Sequence, residues 1–100
     1  MKESEIQKQI LDYLNGLPNS KAIKIMAANE AGTPDIFCCY RGIPLIFEVK
    51  ASEKDAMAAP ENQKRQAMQM DQWLAAGARV FYAWDLVVPM WVINDICKKI

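Results

Sequence analysis

One hundred residues allow a single hydrophobic core, and 52% hydrophobic with 24% charged residues is the balance of an ordinary folded domain, not a disordered chain. Twelve basic and twelve acidic residues cancel, so the basic excess that marks many nucleic-acid binders is absent, although an acidic cluster with a basic rim and a divalent cation remains compatible with such a partner. There is no histidine and no Cys-x-x-Cys, which argues against His-based catalysis and against a structural zinc site within one chain.

Three cysteines are an odd number, and Cys38 and Cys39 are neighbours that would face opposite sides of a strand. That usage suits a reducing compartment, and the expected location is cytoplasmic. The N-terminal "MKESEIQKQI" is polar and helical, unlike a signal peptide. The apolar run "LVVPMWVI" is far too short for a bilayer span. Near-zero net charge favours a defined oligomer over a highly charged monomer.

In chain order, Ile6, Ile10, Leu14 and Leu17 form an apolar face that predicts a helix over 3–15, ended by Gly16 and Pro18. "KAIKIMAA" (21–28) reads as a half-buried strand, "NEAGTP" as a loop and "DIFCCY" (35–40) as a second strand. "RGIP" is a tight turn leading into "LIFEVK" (45–50), a third strand that is apolar on both faces until Glu48, as a central strand would be. The connection over 51–62 is polar and weakly structured, of a length that suits a functional loop. A helix over 61–76 follows, with Met70, Trp73, Leu74, Ala67 and Met68 giving it a broad apolar side. "RVFYAW" (79–84) is a fourth strand, and 89–98 a final helix opened by Pro89. The order αβββαβα predicts an α/β fold: a mixed four-stranded sheet flanked by helices, in one domain over 1–100.

Strand formation does not call for the charges in "GTPDIFCCYRGIPLIFEVK". Asp35 opens the second strand. Glu48 and Lys50 lie two apart on the third and share a face. A hairpin between the strands brings Asp35 and Glu48 to the same end of the sheet. Two converging carboxylates repel, and one has its pKa raised unless a cation sits between them. Mg²⁺ suits oxygen donors of this kind, and the expected ligands are Asp35, Glu48 and the backbone carbonyl of Val49. Lys50 beside them is placed to orient or deprotonate a water and to stabilise charge on a phosphate. Asp with Glu-x-Lys is thus a minimal apparatus for phosphodiester hydrolysis. The simpler reading of the same residues is a surface ion pair, Glu48 with Lys50 or Asp35 with Arg41.

Pro34-Asp35, twelve intervening residues and Glu48-Val49-Lys50 resemble the motif of the PD-(D/E)xK nuclease superfamily. More narrowly, the chain resembles the VRR-NUC family of small nuclease domains, which occur alone in phages and fused in eukaryotic repair nucleases. The resemblance runs over nearly the whole chain. It takes in Glu3 and Ile6-Gln7 on the first helix, Gly32 to Asp35, Glu48 to Lys50, a Gln on the next helix, and Gly77 before "ARVFYAW". It implies a restriction-endonuclease-like core, Mg²⁺ dependence with Mn²⁺ as a substitute, and action on branched DNA as a homodimer that resolves four-way junctions.

For the helix carboxylate the resemblance implies, Glu3 lies on the face that meets the sheet and is expected to reach the metal through water, while Glu5 is rotated about 200° away. For the helix glutamine, Gln66 stands eleven residues before Gly77 and Gln63 is the alternative. The Ser or Thr usual shortly before this Gln is replaced by "NQKRQ". Lys54, Lys64 and Arg65 are candidate phosphate contacts. Trp84, Val87, Val88, Met90, Trp91 and Val92 supply either a two-fold interface or the core of the last helix. A flap, nick or single-strand nuclease working with partner proteins, or a catalytically silent DNA-binding module, would share these features. Sequence-specific cleavage is disfavoured, because no segment beyond the core could read a groove.

Overall fold

The computed structural model describes residues 1–57 and 63–99. The elements are α1 (Glu3–Asn15), β1 (Ser20–Lys24), β2 (Ile36–Tyr40), β3 (Ile43–Val49), α2 (Glu53–Met57), α3 (Lys64–Ala75), β4 (Arg79–Ala83) and α4 (Val87–Lys99). The strands form one mixed sheet in the order β1-β2-β3-β4. β1, β2 and β3 are an antiparallel meander, and β4 joins β3 in parallel, as the expected crossover requires.

Side-chain alternation divides the sheet between two helical layers. Ile6, Ile10 and Leu14 of α1 and Val92, Ile93 and Ile96 of α4 pack with Ile36, Cys38, Tyr40, Leu45, Phe47 and Val49. On the other face, Ile46 packs with Met70 of α3 and Ala78, and Phe37, Trp73, Val80 and Tyr82 lie against them. β3 is buried from Leu45 to Val49, as expected for a strand covered on both sides. Phe47 is wholly buried and stacks on Phe81 at 5.6 Å between ring centroids. Burying one such side chain is worth about 2–3 kcal/mol, so the central strand carries much of the fold.

Several boundaries differ from the sequence reading for identifiable reasons. β1 stops at Lys24, not at residue 28. Ile25 N–H still reaches the Asp35 carbonyl at 2.8 Å, but ahead of Asp35 the partner segment leaves the sheet, and Gly32 lies against Arg65 and Gln66 at the start of α3. The turn after β2 is only Arg41-Gly42, with φ of 51° and 83°. Two consecutive positive-φ residues make the type I′ geometry that matches strand twist, so β3 begins at Ile43. The connection after β3, expected to be irregular, forms the short helix α2. The rest of it, and the expected helix start at 61 and 62, lie outside the described residues. α4 begins at Val87 rather than Pro89, because Asp85 Oδ1 accepts the Val87 N–H at 2.8 Å and caps the helix before the proline.

The apolar residues near the C-terminus divide. Pro89, Val92, Ile93 and Ile96 enter the core, whereas Val87, Met90 and Trp91 are 68%, 44% and 62% exposed. On α3, Met70 is buried and Trp73 half-buried, but Met68 and Leu74 face outward. The outer edge of β1 is partly closed by a side chain: Asn15 Nδ2 donates to the Ala22 carbonyl at 3.0 Å, and the Ala22 N–H donates to Asn15 Oδ1 at 2.8 Å. This amide pairing occupies backbone groups that would otherwise template another strand. All three cysteines are free, Cys38 buried and Cys39 exposed. No described helix is long and apolar enough to cross a membrane.

Candidate active site

The meander register pairs Ile36 with Phe47, so Asp35 falls opposite Glu48 at the end of the hairpin. Both side chains point to the α3 face, by the same alternation that places Phe37 and Ile46 there. Asp35 is held in place by the strand it faces: its Oδ2 accepts the Val49 N–H at 2.8 Å. Glu48 is only 4% exposed. Lys50, the next residue on that face, brings Nζ to 3.6 Å from Glu48 Oε2. From α3, Gln66 Nε2 donates to the same Oε2. Asp35, Glu48, Lys50 and Gln66 are therefore gathered into one cluster.

The electrostatics follow from burial and proximity. The Glu48 carboxyl is pushed up to about 8, first by loss of solvent, then by a hydrogen bond shared with Asp35 and by that residue's negative charge. Lys50 opposes the shift without cancelling it. Among the described residues, nothing donates a hydrogen bond to the buried Glu48 Oε1 or Gln66 Oε1. A buried polar oxygen without a partner is costly. Two such acceptors beside a repelling carboxylate pair form a donor set suited to a hard divalent cation. Asp35 and Glu48 would hold it, with the Val49 carbonyl as the expected backbone ligand.

Gly32 explains how Gln66 is positioned. Its φ is 79°, and a Cβ built there would lie 2.7 Å from the carbonyl carbon and oxygen of Arg65 and 2.8 Å from the Gln66 nitrogen. The loop before Asp35 thus rests directly on the first turn of α3. Only glycine permits both the left-handed backbone and that approach. One short segment, Gly32 to Asp35, sets the carboxylate and the glutamine together.

The remaining candidates stand elsewhere. Glu3 is exposed in the first turn of α1, which packs on the opposite sheet face from α3. It is not gathered with Asp35 and Glu48: among the described residues, no three His, Cys, Asp or Glu side chains are close enough to hold a metal together. Glu5 is exposed too and accepts the Lys2 N–H at 3.4 Å, at the start of its own helix. Gln63 is half-buried just before α3, and Gln66 is the one bonded to Glu48. Lys54, Lys64 and Arg65 are all exposed, Lys54 on α2 and the others at the start of α3.

The sequence reading missed Tyr82. It pairs with Glu48 across β3 and β4 and lies with the α3-face cluster. Its phenol pKa is raised, mainly by burial and then by the charges of Glu48 and Asp71. The parallel register, which is not legible before the crossover is placed, is what brings Tyr82 beside the carboxylate.

A solved structure described as a VRR_NUC domain superposes with a TM-score of 0.72, covering 92% of this chain and 94% of that one at 22% identity. The fold is that of a VRR_NUC domain. At this identity the likeness speaks for the shared architecture, which agrees with the resemblance read from the Gly32–Asp35 and Glu48–Lys50 segments. No family model and no curated protein matches the chain.

Proposed function

We propose that this chain is a VRR-NUC nuclease of the PD-(D/E)xK type: a Mg²⁺-dependent endonuclease that hydrolyses DNA phosphodiesters, with Mn²⁺ as a competent substitute. The observation that carries this reading is the convergence of Asp35, Glu48 and Lys50 at one end of the central hairpin, with buried acceptor oxygens left unpaired. A surface ion pair has no need of a carboxyl pushed up to about 8. Nor does it need a glutamine delivered by a second element.

A bound divalent cation would supply Lewis acidity toward the scissile phosphate and acidify the attacking water. Asp35 is fixed by the Val49 N–H and presents its remaining oxygen to the site. Lys50 has two ammonium hydrogens beyond its contact with Glu48. Those can orient the attacking water and offset negative charge growing on the phosphate oxygens. Gln66 holds Glu48 in place through a neutral amide, adding no charge that would compete with the cation. Lys54, Lys64 and Arg65 hold flanking phosphates.

The substrate that fits best is branched DNA, cut as a four-way junction by a homodimer, since one small chain holds one site and a junction needs two cuts. Val87, Met90 and Trp91 recur at i, i+3 and i+4 on α4 and offer an apolar stripe for that pairing. Labelled four-way junction, flap, duplex and single-stranded DNA, incubated with Mg²⁺ or Mn²⁺, test the proposal. Cleavage of the junction by the native chain, and at least ~100-fold slower cleavage by Lys50→Ala, is the expected outcome. Cutting of flaps or single strands alone would replace junction resolution with the narrower nuclease reading. Binding without cutting on every DNA would leave a silent binding module.

A further inference from the structure

A groove of about 300 Å³ lies between the loop carrying Glu30 and Ala31 and the helix face of Arg65, Met68, Gln69 and Gln72. It adjoins the active site but is separate from it. The backbone of Gly32 rests on Arg65 and Gln66, so Gln66 turns toward Glu48 while the flanking residues of α3 turn into the groove. One helix therefore serves two neighbouring sites.

Gln69 is only 8% exposed, yet among the described residues its side chain makes one hydrogen bond, from Nε2 to the Ala31 carbonyl at 3.5 Å, the far limit of such a contact. A buried amide held this weakly is available to another partner. Gln72 adds a second amide, and each presents donors and an acceptor. Met68 is 60% exposed and offers a soft, polarisable surface that suits an aromatic ring. Arg65 supplies the fork that matches phosphate. Glu30, on the loop wall, disfavours a phosphate there but accepts from an exocyclic amino group, as a carboxylate does from cytosine N4.

We propose that this groove takes one unpaired nucleotide next to the scissile phosphate, its base against Met68, its edge on Gln69 and Gln72, and its phosphate on Arg65. The inference rests on the nuclease reading for its location and deepens it, because it names the feature selected in the DNA. Stacked, paired bases are closed to such a groove, whereas a base at a branch point or bulge exposes both its face and its hydrogen-bonding edge. Preference for branched DNA then arises at the level of one nucleotide, within a single chain.

The test compares two DNAs of one sequence, each carrying 2-aminopurine, in one case bulged and in the other fully paired. Both are titrated in EDTA with the native protein and with a Met68→Ala, Gln72→Ala double variant. Both replaced side chains are exposed, and an unchanged melting temperature confirms the fold. The expected result is bulged DNA bound about 10-fold tighter than paired DNA by the native protein, the upper end of what a methionine sulfur against one aromatic ring gives. A change in 2-aminopurine fluorescence should accompany it, and the ratio should fall to within about twofold in the variant. A ratio near one in the native protein, or an undiminished ratio in the variant, overturns the proposal. Cleavage of the same DNAs with Mg²⁺ separates the two readings. Cutting with a ratio near one removes the groove and keeps the nuclease. The expected ratios without any cutting remove the nuclease and keep the groove. Failure to bind either DNA in EDTA overturns the groove, and the further absence of any cutting with Mg²⁺ overturns both.

Discussion

Glu48→Gln changes shape very little and charge completely, which makes it the most informative single replacement. The native carboxyl titrates at about 8 but at an ordinary carboxylate value once the chain unfolds. Between those values the folded state keeps a proton that the unfolded state has released. Stability from this group is therefore fully present below about pH 4.5 and declines as pH rises toward about 8. Each pH unit across that window corresponds to about 1.4 kcal/mol, giving an upper bound of roughly 5 kcal/mol. Solvent screening at the mouth of the site reduces this to about 2 kcal/mol. Glutamine imitates the protonated carboxyl and cannot lose its proton, so the decline should vanish. For a domain of this size about 2 kcal/mol is ~10 °C in melting temperature. Thermal unfolding in EDTA from pH 4.5 to 9 should show the two proteins together in acid and the variant about 10 °C higher at pH 8.5. The variant should cut no DNA, and Mg²⁺ should raise the melting point of the native chain only. Parallel curves across the whole range would refute the account of Glu48 as a carboxyl buried against Asp35.

Lys50→Ala should retain DNA and Mg²⁺ binding but cut at least ~100-fold more slowly in single turnover; loss of metal binding with normal chemistry would assign Lys50 a structural role. Gly32→Ala must adopt φ near 79° and displace the first turn of α3. It should lower stability by about 2 kcal/mol in denaturant titration and reduce cutting further by moving Gln66 off Glu48; an unperturbed variant would contradict the close approach. DNA affinity should fall as salt rises, and Lys64→Ala with Arg65→Ala should flatten that dependence; an unchanged slope would place the phosphates elsewhere. Sedimentation at micromolar concentration should give a dimer that Trp91→Glu converts to monomer, and a native monomer that stays monomeric on junction DNA would remove the two-fold resolvase.

What was legible in the sequence had short-range causes. The central strand showed itself as an unbroken apolar run, and the hairpin by its turn. From those two features the meeting of Asp35 and Glu48 followed by counting positions. The boundaries that shifted depended on partners. β1 ends where the segment ahead of Asp35 turns off to rest on α3, and α4 starts where Asp85 caps it. Counting along α1 could put Glu3 on the sheet-facing stripe, but not tell which side of the sheet that stripe would meet. α1 packs opposite α3, and this separates Glu3 from the carboxylate pair. Tyr82 escaped notice because a parallel register depends on the whole crossover, not on any local pattern.

The cost of the site follows from its own geometry. Glu48 is buried with an unpaired oxygen, next to a carboxylate, in a strand that otherwise carries the core. An apolar residue there would make a more stable domain. The strain is kept local by two neutral supports and one cation: the Val49 N–H on Asp35, the Gln66 amide on Glu48, and Lys50 at 3.6 Å. None of these neutralises the pair completely. Full neutralisation by a second lysine or an arginine would stabilise the fold and leave no demand for a cation. A deficit of positive charge that the chain itself leaves open is the physical basis for expecting metal binding, and the alkaline instability of the metal-free protein is its thermodynamic counterpart.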